Sequence, residues 1–319
     1  MDNENLDYFF EKLDENKIDD LLFLFKEVFN SFPSKDEIAN KHKNCHGQQK
    51  FIGYIAYDKL TKKPAAFYGV FPFYSIYQGQ KTLIAQSGDT MTHPNHQKKG
   101  LFFQLAKLTY DFCLKNEIKM IFGFPNSVSH PLFIKYLGFS ETKRLVNITL
   151  FENKVEVCRF SQKNKTMAKI HNLYLKFILK FISKGKSFQN SNVVFENDKA
   201  YILHDSTYYN WKSTSNKFFL KINGVNVWIN CTQNQIAIGD IELINEVDLP
   251  KVIRKLKILT FILGYRFLSI GGTENCYLIN LLKGKYLELP SYTPIFLNLS
   301  ASLPIHSDFL FLNSDVDVF

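Results

Sequence analysis

The run His93-Pro-Asn-His-Gln-Lys-Lys-Gly100 gathers residue types that hold an anion. Lys98 and Lys99 bring positive charge to one turn, and Gly100 lets a ligand approach backbone that a side chain would otherwise cover. If Leu101 opens a helix, the first amides of that helix have no acceptor of their own and join the positive end of the helix dipole. The chemistry is phosphate binding. The turn is too short for a Walker loop and lacks the G-x-G-x-x-G spacing of a dinucleotide fold. A second candidate stands just upstream, where Asp89 interrupts an otherwise apolar strand in Gln86-Ser-Gly-Asp-Thr90. A carboxylate there is costly unless it is paired or used. The alternative is that Gly88-Asp89 forms a bulge at an exposed strand edge.

A loop of this kind needs a strand before it and a helix and strand after it. Residues 83 to 92 read as the first strand, which Pro94 ends because proline has no amide to give the ladder. Leu101, Leu105, Leu108 and Phe112 recur at helical spacing, and Met120 to Phe124 form a second strand closed by Pro125. Upstream, residues 6 to 14 suit an opening strand. Residues 17 to 30 suit a helix with Leu21, Leu22, Phe25 and Phe29 on its buried side. Ser31 to Gln49 is polar and reads as an irregular cover for the substrate site. Residues 51 to 57 and 65 to 77 are strands, and Gln78-Gly79-Gln80 turns the chain into the strand that carries Asp89. The fold class is therefore α/β with a mixed sheet.

Gln97-Lys98-Lys99-Gly100-Leu101-Phe102 resembles the Q/R-x-x-G-x-G/A loop of the GNAT superfamily of N-acyltransferases, with Phe102 standing where Gly or Ala is usual. Phe133-Ile-Lys-Tyr-Leu-Gly-Phe139 resembles the family's L-Y-x-K-x-G-F ending, and the likeness spans residues 1 to 150. The resemblance implies acetyl-CoA as acyl donor, its pyrophosphate on the amides of Gln97 through Phe102. It implies that backbone groups of Met91, Thr92 and His93 line the pantetheine arm and the thioester oxygen, with Asn126 facing that arm from the second strand. Asp89 would bind or deprotonate the acceptor amine. The tyrosine that many members carry four residues before the glycine of the ending is Ile134 here, and helical spacing puts Tyr136 on another face. His130 reads as a helix-entry residue, which leaves water to protonate the departing thiolate.

A chain of 319 residues exceeds what one core usually fills, and 45% apolar residues with 31 Phe supply two. The expected division is a catalytic domain at 1–155, a basic helical linker at 156–192 and a second, degenerate GNAT-like domain at 193–319. Between Glu156 and Glu196 there are eight Lys or Arg and no acid. Lys169 to Ser183 within it has Leu173, Phe177, Ile178 and Phe181 on one side; it is too short and too charged to span a bilayer. Such a helix either lies on anionic lipid, a membrane contact spanning 165–186, or docks its apolar stripe between domains. From Val193 the strand and helix order echoes the first domain. In the echo, Ile244-Asn-Glu-Val-Asp-Leu-Pro250 has two acids and no glycine where phosphate would sit, so this half should not bind CoA.

The five cysteines are odd in number and widely spaced, without C-x-x-C or a Cys/His pair at metal spacing, which argues against a zinc site or a disulfide framework. The acidic N-terminus lacks an apolar stretch for export, so the expected compartment is the cytoplasm. The formal charge of +9 suits an anionic partner. The chain's ending, Asn313 to Phe319, resembles that of tandem-GNAT aminoglycoside acetyltransferases. That implies a terminal carboxylate on Phe319 able to take the amine's proton; the other reading is a plain edge strand. The favoured function is acetyl transfer to the amine of a small polar acceptor, an amino sugar, free or nucleotide-linked, in surface-polysaccharide synthesis. Peptidyl transfer from aminoacyl-tRNA and a non-catalytic binding role are the alternatives. The retained pyrophosphate loop argues against nucleic acid as the partner.

Overall fold

The computed structural model of the protein describes residues 7–43, 45–77, 79–154, 165–183, 199–213, 216–232, 234–242, 246–300 and 309–316. In chain order the elements begin β1 (Tyr8–Lys12), α1 (Ile18–Phe29), α2 (Lys35–Lys43), β2 (Gly53–Asp58), β3 (Pro64–Tyr77) and β4 (Gln80–Thr92). Then come α3 (Leu101–Lys115), β5 (Met120–Gly123), α4 (His130–Leu137), β6 (Ser140–Glu141), β7 (Leu145–Glu152) and α5 (Lys165–Ile182). Next are β8 (Ala200–Ile202), α6 (Ser206–Lys212), β9 (Lys217–Ile222), β10 (Val225–Cys231), β11 (Gln235–Ile241) and α7 (Leu249–Ile262). The chain closes with β12 (Phe267–Thr273), α8 (Tyr277–Asn280), β13 (Leu287–Pro290), β14 (Ile295–Asn298) and β15 (Phe309–Leu310). It divides into two units, one of residues 1–76, 80–142 and 294–306, the other of 77–79, 143–293 and 307–319. Thus β7, which the sequence suggested belongs to the first domain, lies in the second unit. Residues 294–306 return to the first. Of the expected linker, 156–164 and 184–192 fall outside the described residues.

In the first unit the strand order is β1-β2-β3-β4-β5-β14-β6. The pair β4 and β5 is parallel, with α3 as its crossover. One face of the sheet packs on α3 through Leu101, Leu105, Ala106 and Cys113. The other packs on α1 and α2 through Ile18, Leu21, Leu24 and Ile38. The buried stripe of α1 therefore runs through Ile18, Leu21 and Leu24, and Phe29, expected inside, is exposed. The stretch 31–49, expected to be irregular, holds α2. Its start is a capping box: the Glu37 amide donates to Ser34 Oγ at 3.2 Å, and the Ser34 amide donates to Glu37 Oε2 at 2.7 Å. Ile38 and His42, four residues apart, are its buried positions.

In the second unit the order is β13-β7-β12-β11-β10-β9. Again the strands joined through a long helix, β11 and β12 through α7, are parallel. The succession β9-β10-β11-α7-β12 has the same form as β2-β3-β4-α3-β5.

Candidate active site

The glycine turn has the backbone its composition suggested. Lys98 and Gly100 both have positive φ, 62° and 73°. For Lys98, a residue with a Cβ, that conformation is strained, and it curls successive amides toward a common point. Gly100 caps α3, and the Gln104 amide donates to its carbonyl at 3.3 Å. The amides of Leu101, Phe102 and Phe103 precede the first possible intrahelical bond and have no acceptor within the helix. Residues 97–100 are exposed. Gln97, Lys98, Lys99 and Gly100 thus form an open cradle at a helix head. Phe102, where the pattern expects a small residue, fills a ring cluster with Phe103, Phe133 and Tyr68, at centroid distances of 5.1, 5.3 and 5.8 Å. Its bulk lies on the α4 side of the helix and leaves its amide at the head.

The strand before the cradle changes phase. Leu83 offers its carbonyl to Lys119, toward β5, at 2.9 Å, whereas His93 gives its amide to Ala65, toward β3, at 2.8 Å. Both positions are odd, so a regular strand would turn them the same way. The side chains flip as well: Ala85 packs on the α3 face, Met91 on the face of α1 and α2. The residue responsible is Asp89, whose φ is 53°. A bulge here re-aims the rest of the strand. Counted back from His93, strand alternation sets the Met91 amide toward β3 and those of Thr90 and Thr92 away from it. On that other side, β5 pairs with β4 only at Ala85 and Gln86, opposite Ile121 and Phe122. The two strands then part. Beside Thr90 and Thr92 the β4 edge on that side has no β5 partner, and this stretch of strand leads into the turn at 97–100. Of the three residues proposed to line the acyl arm, Thr92 is the last of β4 and half-buried. Met91 is buried in the core, and the His93 ring stacks on Phe23 and accepts from the Asn95 amide at 3.2 Å.

Asp89 is a bulge residue and a buried carboxylate at once. Its Oδ1 lies 2.6 Å from Lys41 Nζ of α2, and its side chain is 8% exposed. Its Oδ2 is 3.7 Å from His42 Nε2, too far for a hydrogen bond, and has no other partner. Neither ring nitrogen of His42 is bonded, and its ring is walled by Phe51, Phe67 and Phe71. Burial pushes the His42 imidazolium down to about 4, against the smaller opposing pull of Asp89, so the ring is neutral near pH 7. Residue type and spacing alone do not single out Lys41 or His42; the Ser34-x-x-Glu37 capping box was the signal that a helix would carry them.

Asn126 turns the chain after β5. Its Oδ1 accepts from the amides of Val128 at 3.0 Å and Ser129 at 2.9 Å. A chain of hydroxyls lies on the α3 side of β4, Ser87 Oγ and Tyr110 Oη each 2.8 Å from Tyr68 Oη. Burial raises both phenols, so they hold their protons and serve as donors. Ile134, where the pattern has tyrosine, packs against the core, and Tyr136 is exposed. His130 begins α4 with Nε2 3.0 Å from Glu141 Oε1. Phe319 lies outside the described residues. Among the described residues no group of three or more His, Cys, Asp or Glu could hold a metal ion.

Residues 10–141 match the model of a protein family described as acetyltransferase (GNAT) domain. Among curated proteins none matches the sequence. Solved structures share the fold. A GCN5-related N-acetyltransferase from Kribbella flavida superimposes with a TM-score of 0.59 at 10% identity, covering 91% of this chain and 70% of that one. A GCN5-related N-acetyltransferase from Anabaena variabilis gives 0.58 at 11%, covering 92% and 73%. A conserved protein of unknown function from Enterococcus faecalis, described as a probable N-acyltransferase, gives 0.62 at 10%, covering 92% and 73%.

Proposed function

We propose, from the match of residues 10–141 to the acetyltransferase (GNAT) domain model, that the protein transfers an acyl group, acetyl first among them, from coenzyme A to the amine of a small polar acceptor. The observation that carries this reading is the conjunction of an amide cradle at Gly100 with a slot that opens where β4 and β5 part. A diphosphate fits the cradle, where Lys98 and the helix head meet its charge. An extended amide-bearing arm fits the slot, where it can take the ladder place beside Thr90 and Thr92 that β5 leaves empty. Asn126 stands past the end of β5; its side-chain oxygen is engaged in the turn, so its contribution to the arm falls to its remaining polar groups.

The chemistry is attack of the acceptor nitrogen on the thioester carbonyl. The C–N bond forms, the C–S bond breaks, and the proton lost from nitrogen goes to the thiolate. Asp89 is the group of this chain we assign to the acceptor: its unbonded Oδ2 suits an ammonium and, once that ammonium has given up its proton, an amine N–H. The acceptor to test first is an amino sugar, free or nucleotide-linked, of the kind surface-polysaccharide synthesis uses. Calorimetry with acetyl-CoA, and thiol release with a panel of amino sugars, test the reading. Binding is expected to weaken by about tenfold or more in Gly100→Val, because a β-branched residue resists the left-handed conformation that shapes the cradle. Unchanged affinity in a folded Gly100→Val protein, or no affinity in the parent, would end the proposal.

A further inference from the structure

The sequence leaves two places for the α5 stripe that carries Leu173, Phe177 and Phe181: on anionic lipid, or docked between domains. The structure turns that stripe outward: the three side chains are 68%, 73% and 75% exposed. The helix is held instead by its opposite side, where Leu179 is buried. His171 Nε2 lies 3.2 Å from the Leu263 carbonyl, and Tyr174 donates to the Ile262 carbonyl at 3.1 Å. Those two bonds set α5 against the C-terminal end of α7. There the apolar surface continues, because Ile258, Phe261 and Ile262 are also exposed. Large exposed apolar side chains thus stand on both helices that these two bonds join. A face of this kind marks an interaction site.

The charges around it identify the partner. The helix α5 carries Lys169 and Lys180, both exposed, beside the apolar stripe, and neither α5 nor α7 contains an acidic residue. On α7 the exposed face that ends in Ile258 and Ile262 begins with Arg254 and Lys255. The nearest acids along the chain, Glu246 and Asp248, precede α7, where Asp248 pairs with Lys251 at 3.3 Å. A second copy of this chain meeting the face about a two-fold axis would set cations against cations. Nucleic acid would satisfy the cations and leave Leu173, Phe177 and Phe181 without partners. An anionic bilayer answers both, with headgroups for the lysines and acyl chains for the phenylalanines. Among the described residues no helix is long and apolar enough to cross a membrane. We propose that the outer face of α5, with the end of α7, is a docking surface on which the protein rests on an anionic lipid membrane, α5 lying in its plane.

Flotation of the full chain with phosphatidylcholine vesicles, with and without phosphatidylglycerol, tests this. Retention is expected on the anionic vesicles alone and should fall as salt is raised. The double variant Phe177→Ser/Phe181→Ser should lower the partition coefficient by about tenfold or more through lost apolar insertion. Lys169→Gln/Lys180→Gln should lower it by roughly tenfold or more, at about fivefold for each cation near an anionic surface. Circular dichroism and the melting midpoint of both variants establish that they fold as the parent does. Equal retention on neutral and anionic vesicles overturns the inference, as does no retention on either. A lipid-free dimer that Phe177→Ser/Phe181→Ser splits would give the face to a second copy instead.

Discussion

Each unit contains a parallel strand pair joined through a helix, and the two pairs end differently. In the first, the ladder of β4 and β5 ends at Gln86 and Phe122, and β4 runs on without β5 toward the exposed glycine turn. In the second, β11 leaves β12 after Ile238 and Ile270, and the vacated place is filled. Leu312 bridges to Gly272, and Phe311 exchanges bonds with Thr273, its carbonyl accepting at 2.8 Å and its amide donating to Thr273 Oγ1 at 2.7 Å. The segment is then fastened by His204, whose ring nitrogens lie 2.7 Å from Asp240 of β11 and 2.8 Å from Asp315. The head of α7 offers no cradle either, since Asp248 caps it where Gly100 caps α3, and Glu246 stands where Lys98 does. One framework thus makes a slot or a seal, according to what satisfies the polar backbone exposed when strands part.

The same contrast runs through the two buried histidines. His42 beside Asp89 keeps unbonded atoms on both partners. His204 sits between two carboxylates that also take the Tyr209 hydroxyl at 2.6 Å and the Tyr208 hydroxyl at 2.9 Å. Burial opposes its charge, but Asp315 and Asp240 outweigh that and lift it to about 9, so it is a cation near pH 7. Removing one member of such a set strands the others. Asp315→Ala leaves His204 with one counter-charge and leaves the Tyr208 hydroxyl and Leu312 amide without their acceptor. The expected loss is about 3–5 kcal/mol in denaturant unfolding of the transition that reports the second unit. A loss below about 1 kcal/mol would mean that the seal is held by apolar packing alone.

How much of this was legible depends on the range of each interaction. The cradle could be read because Lys98, Lys99 and Gly100 are adjacent and the helix behind them declares itself through Leu101 and Leu105. The phase change at Asp89 was visible only as a choice between bulge and function; the structure makes it a bulge whose carboxylate is also buried. The stripe of α5 left two readings open because apolar periodicity tells that a face is apolar and not what covers it. His204, Asp240 and Asp315 were invisible, being joined by a fold and separated by long stretches of chain. The opening of the slot was invisible too, since where a parallel pair stops depends on the register of both strands.

Acidity separates the two histidines further. For His42 the folded value, about 4, lies below the ordinary 6.5, so between those values the unfolded chain binds the extra proton. Stability contributed by the first unit should therefore fall as pH drops from 6.5 and level off below 4, by at most about 3 kcal/mol for His42. For His204 the folded value lies above the ordinary one. Its contribution is fully present below pH 6.5 and is lost as pH rises through 9. Unfolding free energies of the parent and His42→Phe across this range check the assignment. The variant should lose the acid limb and keep the alkaline one. An acid limb unchanged in His42→Phe would place its origin in other groups.

The smallest stability effect is expected at Asp89, and it makes the sharpest test of slot against seal. In Asp89→Asn the ion pair with Lys41 is lost, yet the Lys41 side chain is 28% exposed and its ammonium keeps access to water. The unbonded Oδ2 also ceases to be a buried charge, which offsets part of the loss. The net change should be about 1 kcal/mol or less, in contrast to Asp315→Ala. If Asp89 receives the acceptor, the variant should keep the parent's affinity for acetyl-CoA while thiol release falls by roughly 10²–10⁴-fold, the range for loss of a positioned proton acceptor. The opposite pattern, several kcal/mol of lost stability with turnover intact, would make Asp89 a fastening like Asp315. The pairing of α2 to the bulge would then be architecture, and the acceptor's partner would have to be sought elsewhere along the open edge.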